Sequence, residues 1–371
     1  GSADGIDISL KLTDDAYVIF KFFLHITKKE QSKRLNELEA SKATKWRVSA
    51  HDWKQNKAYA VCKEEYDFML EKTNFEYAGW NVISGMERDV ALKEVLETVV
   101  KRLEKLCRKV EKDGIHSIEG RGIPVSKMDF ELVRKPLIQD VSLDCTLSEK
   151  EYHKRLDKLQ DKLLKLSYKL YKKKIPLIIC YEGWDAAGKG GNIKRMVSCF
   201  DARDYDVNPV AAPDSYEKAR QYLWRFQKNL PKTGHIAVFD RTWYGRVMVE
   251  RLEGFNTETE WKRAYNEINE FEQELMDWGA IVVKFWLQID KDEQLARFRE
   301  RENNPAKQWK ITDEDWRNRD KWDKYEVAVN DMIKYTSTKD APWHIIESNN
   351  KYYARIKAIE TVVDAIESRL S

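Results

Sequence analysis

Ile175-Pro-Leu-Ile-Ile-Cys-Tyr-Glu-Gly-Trp-Asp-Ala-Ala-Gly-Lys-Gly-Gly-Asn-Ile-Lys194 decides the fold. A short β-branched run, Ile175 to Tyr181, leads into a glycine-rich turn and then a helical pattern. Strand, loop and helix in that order are what a phosphate-binding P-loop requires. Gly183-Trp-Asp-Ala-Ala-Gly188-Lys189-Gly190 has the spacing G-x-x-x-x-G-K. Glycines there let backbone N–H groups turn inward on phosphate oxygens, Lys189 adds a mobile positive charge, and the following helix points its N-terminal dipole at the same place. The usual Ser or Thr, whose hydroxyl binds Mg²⁺, is replaced by Gly190. Magnesium is therefore expected on carboxylates, phosphates and water, with Asp185 the nearest candidate ligand.

Working outward, 371 residues allow two or three domains with ample core. Charged residues make up 35% of the chain, yet the net charge is only +3, a densely charged and balanced surface that does not read as a nucleic-acid binder. Five cysteines without C-x-x-C spacing argue against a disulfide framework or a zinc site and fit a reduced, cytoplasmic protein. No apolar run approaches a membrane span, no charged-then-apolar leader opens the chain, and the initial Gly-Ser reads as a tag scar.

The chain repeats itself. Lys21-Phe-Phe-Leu-His-Ile-Thr-Lys-Lys-Glu-Gln31 aligns without gaps with Lys284-Phe-Trp-Leu-Gln-Ile-Asp-Lys-Asp-Glu-Gln294, and the offset of 263 holds for about eighty positions. Arg34 meets Arg297, Trp46 meets Trp309, Trp80 meets Trp343, and Glu97-Thr-Val-Val100 meets Glu360-Thr-Val-Val363. Upstream, Asp7-Ile-Ser-Leu10 matches Asp140-Val-Ser-Leu143. About 130 residues, the P-loop region among them, separate Tyr152 from Val283, whereas Tyr17 is followed almost at once by Phe20. The first copy lacks its phosphate-binding half. A natural deletion, an engineered truncation or a stretch missing from the sequence as written would each leave this pattern; because such a copy would expose backbone edges and apolar faces, the last is the expectation. The predicted organisation is an incomplete first copy over 3–112, a linker over 113–139 punctuated by Gly and Pro, and a P-loop domain over 140–371.

Within the second copy, Lys150 to Lys174 reads as an amphipathic helix, Tyr205 to Val210 as a strand, and Tyr216 to Phe226 as a helix. His235-Ile-Ala-Val-Phe-Asp240-Arg241 is an apolar strand ending in an acidic residue, the Walker B arrangement, which places Asp240 where ligands gather in open α/β sheets. Asp185 and Asp240 then face one magnesium site, and Arg241 is placed to reach a phosphoryl oxygen. Glu293 to Glu302 reads as a helix bearing Arg297, Arg299 and Arg301, a lid over the phosphates. Arg297 has a counterpart in the first copy but Arg301 does not, since Leu38 stands there.

Glu182-Gly-Trp-Asp-Ala-Ala-Gly-Lys-Gly-Gly191, Phe239-Asp-Arg-Thr-Trp-Tyr-Gly-Arg246 and Trp309-Lys-Ile-Thr-Asp-Glu-Asp-Trp-Arg-Asn-Arg-Asp-Lys-Trp322 resemble the polyphosphate kinase 2 family. The resemblance covers nearly all of 140–371, and residues 7–106 look like pieces of a second family domain. It implies an α/β P-loop kinase-like parallel sheet flanked by helices with a helical lid, present in tandem with the first copy degenerate. It also implies transfer of the terminal phosphoryl group of inorganic polyphosphate to AMP, giving ADP. Phosphoryl transfer asks for positioning and charge neutralisation rather than a protein nucleophile. The expected set is Lys189 with Gly183, Gly188, Gly190 and Gly191 on phosphate, Asp185 and Asp240 on Mg²⁺, and Arg241 and Arg301 compensating charge. Arg297 is a further phosphate contact, and Lys194 and Arg203 line the polyphosphate path. An ATP-dependent nucleoside monophosphate kinase and a non-catalytic polyphosphate- or nucleotide-binding scaffold are the alternative readings. A tandem repeat predicts an internal pseudo-dimer and is compatible with a homo-oligomer; no nucleic acid or membrane partner is expected.

Overall fold

The computed structural model describes residues 8–114 and 130–371. The chain divides into two compact units, Gly1–Arg121 and Gly122–Ser371. The first has helix α1 (Ile8–Asp14), strand β1 (Lys21–His25), helices α2 (Lys28–Ala40), α3 (Ala50–Lys57) and α4 (Tyr59–Lys72), strand β2 (Trp80–Ser84) and helix α5 (Arg88–Asp113). The second opens with α6 (Glu149–Lys173), β3 (Leu177–Gly183), α7 (Lys189–Val197) and β4 (Tyr205–Pro209). Two short helices, α8 (Ser215–Lys218) and α9 (Trp224–Gln227), precede β5 (Ile236–Asp240), α10 (Val249–Glu253) and α11 (Glu258–Asp277). Then come β6 (Ile281–Gln288), α12 (Lys291–Glu302), α13 (Asp313–Asp320), α14 (Trp322–Thr336), β7 (Trp343–Glu347) and α15 (Lys351–Leu370).

The five strands of the second unit form a parallel sheet in the order β4-β5-β3-β6-β7. Strands of a parallel sheet are covered by helices on both faces, so they read as continuous apolar runs rather than alternating ones. β3 and β6 do so: Leu177 to Tyr181 and Ile281 to Leu287 are buried throughout. β3 begins at Leu177 rather than Ile175 because Pro176 has no N–H to give the ladder, and it runs on to Gly183. On α6, Ser148 caps the first turn by accepting from the Glu151 N–H, and Tyr152, Leu156, Leu163, Leu166 and Leu170 form the buried stripe. Each such side chain contributes roughly 1.5–3 kcal/mol relative to exposure. The helix expected over Tyr216 to Phe226 is two pieces. Asp214 and Glu217 close a capping box on α8, and the Gln221 side chain then accepts from the Leu223 N–H, a turn that competes with a continuous helix. Residues 131–139, placed in the linker by sequence, pack on the second unit. The Val133 N–H donates to Ser337 O, the Lys339 N–H donates to Glu131 O, and Ile138 is buried in the core.

The repeat is real in three dimensions. Lys21 stands opposite Trp80 across β1 and β2, and Lys284 stands opposite Trp343 across β6 and β7, the same register after the offset. Lys21 Nζ donates to Thr73 O at 2.6 Å, and Trp80 Nε1 to Thr73 Oγ1 at 2.8 Å. Lys284 and Trp343 make the same two bonds to Thr336 at the same distances. Only the second unit completes the network: fully buried Lys284 also donates to Glu272 Oε2 at 2.7 Å and to the Tyr244 hydroxyl at 2.9 Å. Burial pushes the Lys284 pKa down while Glu272 holds it up. Glu272→Ala would leave a buried ammonium unpaired. Thermal unfolding should show a loss of about 3–5 kcal/mol, a midpoint lower by roughly 6–20 °C, with the Glu272→Gln/Lys284→Met pair less affected. A single variant within about 2 °C of wild type would contradict the pairing.

Candidate active site

β3 ends at Gly183, where the backbone leaves the sheet with φ 154°. A Cβ there would lie 2.8 Å from both Cβ and O of Leu287, so only glycine fits. Ala186 at φ 61° and Gly188 at φ 104° are left-handed, and this alternation turns successive N–H groups toward a common point, an anion-binding concavity at the start of α7. Tyr181 anchors the helix through its hydroxyl to Asn192 Oδ1 at 2.9 Å, and Asn192 Nδ2 continues to Ala354 O. Lys189 Nζ folds back on the loop, donating to Gly183 O at 2.7 Å and Trp184 O at 3.4 Å.

β5 delivers the second half of the site. Asp240 pairs with Tyr181 in register, so its carboxylate stands at the carboxyl end of the sheet beside the loop. Arg241 has φ 66°, a costly conformation for a side chain with a Cβ. Its N–H donates to Tyr181 O at 3.1 Å, and buried Glu182 accepts from both the N–H and the hydroxyl of Thr242 at 2.7 Å. These bonds pin the turn on either side of Arg241. Its guanidinium meets Asp185 Oδ1 at 3.3 Å. Burial works against the Arg241 charge, but Asp185, Glu182 and other carboxylates hold its pKa above the usual value. Burial raises the Glu182 pKa against the opposing Thr242 hydrogen bonds. From the lid side, Asn318 on α13 donates to Asp185 Oδ2 at 2.9 Å.

A cleft of about 300 Å³ opens at the mouth of the loop, lined by Gly188, Gly191 and seven cationic side chains. Arg195, Arg301, Lys307, Lys310, Lys351 and Arg355 stand with Arg297 around a single carboxylate, Glu300. Burial and then the neighbouring Arg297 charge lower the Lys351 pKa, while Glu300 and Glu293 oppose them.

Of the residues singled out by sequence, the structure brings together the loop glycines, Lys189, Asp185, Arg241 and Arg301, with Asp240 at the neighbouring strand end. Three are placed otherwise. Arg297 is not free for phosphate: Nε donates to Glu293, Nη1 to Ala186 O and Ala187 O, and Nη2 to Ser348 O and Asn349 O. These engage all five guanidinium N–H groups. Arg203 is exposed, paired with Asp201, and precedes β4 at the amino end of the sheet, away from the loop. Lys194 is exposed and lies outside the cleft lining; Arg195, one turn on from Gly191, takes that place. The i, i+4 spacing from Gly191 carries the signal for Arg195. Nothing local marks Arg355 or Lys351, which long-range folding brings to the cleft, whereas Glu182 and Asn318 stand inside the quoted motif blocks without a role assigned to them.

A parallel sheet with a glycine-rich loop at its switch point, a carboxylate on the adjacent strand and a cationic cleft defines a P-loop phosphotransferase site. The chain belongs to the polyphosphate kinase 2 (PPK2) family, whose model matches residues 6–111 and 146–371. It is 41% identical over 356 residues to a polyphosphate:AMP phosphotransferase of Pseudomonas syringae pv. tomato, covering 96% of this chain and 70% of that one. A relative of the same name from Acinetobacter johnsonii is 38% identical over 351 residues, covering 94% and 69%. A crystal structure from Pseudomonas aeruginosa PA01 described as a polyphosphate kinase 2 superposes with TM-score 0.77 at 38% identity, over 97% of this chain and 70% of that chain. The polyphosphate kinase 2 of Arthrobacter aurescens TC1 superposes at 0.62 and 30% identity, over 67% and 91%.

Lys189→Ala should lower kcat by roughly 10²–10³; near-normal turnover would remove Lys189 from the site. Arg241→Gly relieves the left-handed strain that Arg241→Ala keeps, so Gly should be the more stable variant by about 1 kcal/mol in denaturant unfolding, with both inactive. An alanine variant as stable as glycine would show that the turn carries no strain.

Proposed function

We propose that the second unit transfers the terminal phosphoryl group of inorganic polyphosphate to AMP, forming ADP. The observation that carries this reading is the cleft: six cations besides the fully engaged Arg297, against one carboxylate and leading into a P-loop, suit a chain of phosphates better than a single nucleotide. An oxygen of the AMP phosphate attacks the terminal phosphorus while the bond from that phosphorus to its bridging oxygen breaks. The polyphosphate chain leaves one unit shorter as the anion. The protein supplies position and charge.

Lys189 leaves the carbonyls of Gly183 and Trp184 to meet the transferring phosphate, and the loop N–H groups hold its oxygens. Arg241 and Arg301 offset charge that spreads onto the equatorial oxygens, Arg301 being tethered through Nη1 to Lys310 O in the lid. Asp185 orients the acceptor phosphate. Asp185 and Asp240 are hard oxygen donors and would hold Mg²⁺, phosphate and water standing in for the hydroxyl that Gly190 lacks. The chemistry Mg²⁺ would supply there is neutralisation of phosphate charge. The first unit has no glycine loop and is assigned no turnover. Five free cysteines suit the reducing cytoplasm, and no helix among the described residues is long and apolar enough to cross a membrane.

The test is product formation in magnesium buffer with AMP and, separately, ADP as acceptor, and with polyphosphate or ATP as donor. ADP from polyphosphate and AMP, with little from ATP, is the expected outcome. Activity with ATP alone would make the protein a monophosphate kinase, and silence with both donors would make it a binding scaffold.

A further inference from the structure

Helix α12 carries two buried side chains, one turn apart, that the scheme above does not use. Gln294 is 1% exposed and donates from Nε2 to Asp185 O at 3.1 Å. Arg297 is 4% exposed and donates from Nη1 to Ala186 O at 2.9 Å and Ala187 O at 3.0 Å. Three successive carbonyls of the P-loop are thus held by one helix. A loop whose N–H groups point at phosphate must turn carbonyls the other way, and each of those, once buried, needs a donor. Helix α12 provides them.

The repeat separates what these residues do for the fold from what they do for the loop. In the first unit Arg34 donates from Nε to Glu30 and from Nη2 to Gly85 O and Met86 O. Arg297 makes the same bonds to Glu293, Ser348 O and Asn349 O. Gln31 Oε1 accepts from Asn56, which also donates to Lys28 O. Gln294 Oε1 accepts in the same way from Arg319, which also donates to Lys291 O. Of the bonds that Gln294 and Arg297 make, those to the rest of the fold are present twice. Those from Gln294 Nε2 and Arg297 Nη1 have no counterpart among the described residues, because the first unit has no loop to hold. Arg319 lies on α13 beside Asn318, so Gln294 touches α13 at one end of its amide and the P-loop at the other.

We propose that Gln294 and Arg297 are positioning residues that hold the carbonyls of Asp185, Ala186 and Ala187 outward, setting the loop N–H groups for phosphate, and that Gln294 couples the loop to α13. This rests on the phosphotransfer reading for its kinetic arm but not for its ligand-free one.

Gln294→Met is the test, with Gln31→Met as the matched control that loses the same fold contact. We expect Gln294→Met to lower kcat about 10- to 100-fold while changing KM for AMP less than about twofold. In the ligand-free protein, deuterium exchange at amides 187–192 should quicken about tenfold or more. Its thermal midpoint should match that of Gln31→Met, which keeps wild-type turnover and exchange. Gln294→Glu, which retains the acceptor for Arg319 but not the donor to Asp185, should share the defect, and it replaces Gln294→Met should that variant fail to fold. Unchanged loop exchange in the Gln294 variants would overturn the proposal, whatever the kinetics. If wild type makes no ADP, the phosphotransfer reading fails and exchange alone judges the positioning.

Discussion

The second unit depends on the direction in which the peptide groups between Gly183 and Gly188 point. Phosphate binding by backbone N–H groups works only where the chain takes left-handed steps and where the carbonyls, facing away, find donors in the protein. The first condition is met by Gly183, Gly188 and the strained Ala186. The second is met by α12 and by the tight packing of Gly183 against Leu287, which leaves the loop no room to relax toward β6. Lys189 then has freedom the backbone lacks: its ammonium is parked on two loop carbonyls at the end of a flexible side chain and can leave them without moving the main chain.

The first unit shows the same fold without that demand. Its β1–β2 pair and the bonds of Lys21, Arg34 and Thr73 reproduce those of Lys284, Arg297 and Thr336. Its apolar faces do not find the same cover. Leu24 is 60% exposed where Leu287 is 1% exposed, and Leu96, Val100 and Leu103 on α5 are exposed where Ile359, Val363 and Ile366 are buried. In the second unit α15 packs on α6, an element that the first unit lacks. Hydrogen bonds that close within β1, α2, α4 and β2 survive alone, whereas burial, which needs a second layer, does not.

How much of this was legible in the sequence follows from the range of the interactions involved. The P-loop was legible because its glycines, lysine and flanking strand are local and the steric demand at each is severe. Asp240 was legible because a strand's end is marked by its own composition. The repeat was legible residue by residue and survived as register. Arg297 was misjudged as a phosphate ligand because an arginine on a lid helix looks the same whether its fork meets phosphate or main-chain carbonyls; only the five engaged N–H groups tell the two apart. Arg203 falls at the amino end of the sheet, and Lys194 on the exposed side of α7; sequence places a residue near a motif without saying at which end of the sheet, or on which face of a helix, it stands. Arg355 and Lys351 reach the cleft through packing between elements far apart in the chain, for which one sequence carries no sign.

Charge completes the account. Balanced overall, the chain concentrates Arg195, Arg301, Lys307, Lys310, Lys351 and Arg355 at one mouth, where a polyanion gains most. The central claim is that the phosphoryl group entering the nucleotide comes from polyphosphate and passes at this loop. The most direct measurement supplies AMP carrying ¹⁸O in its phosphate, unlabelled polyphosphate and Mg²⁺, and reads the ADP by mass spectrometry. The account predicts ADP with the label confined to the original phosphate and its bridge, and an unlabelled terminal phosphate. Absence of ADP, or heavy oxygen in non-bridging positions of its terminal phosphate, would contradict it.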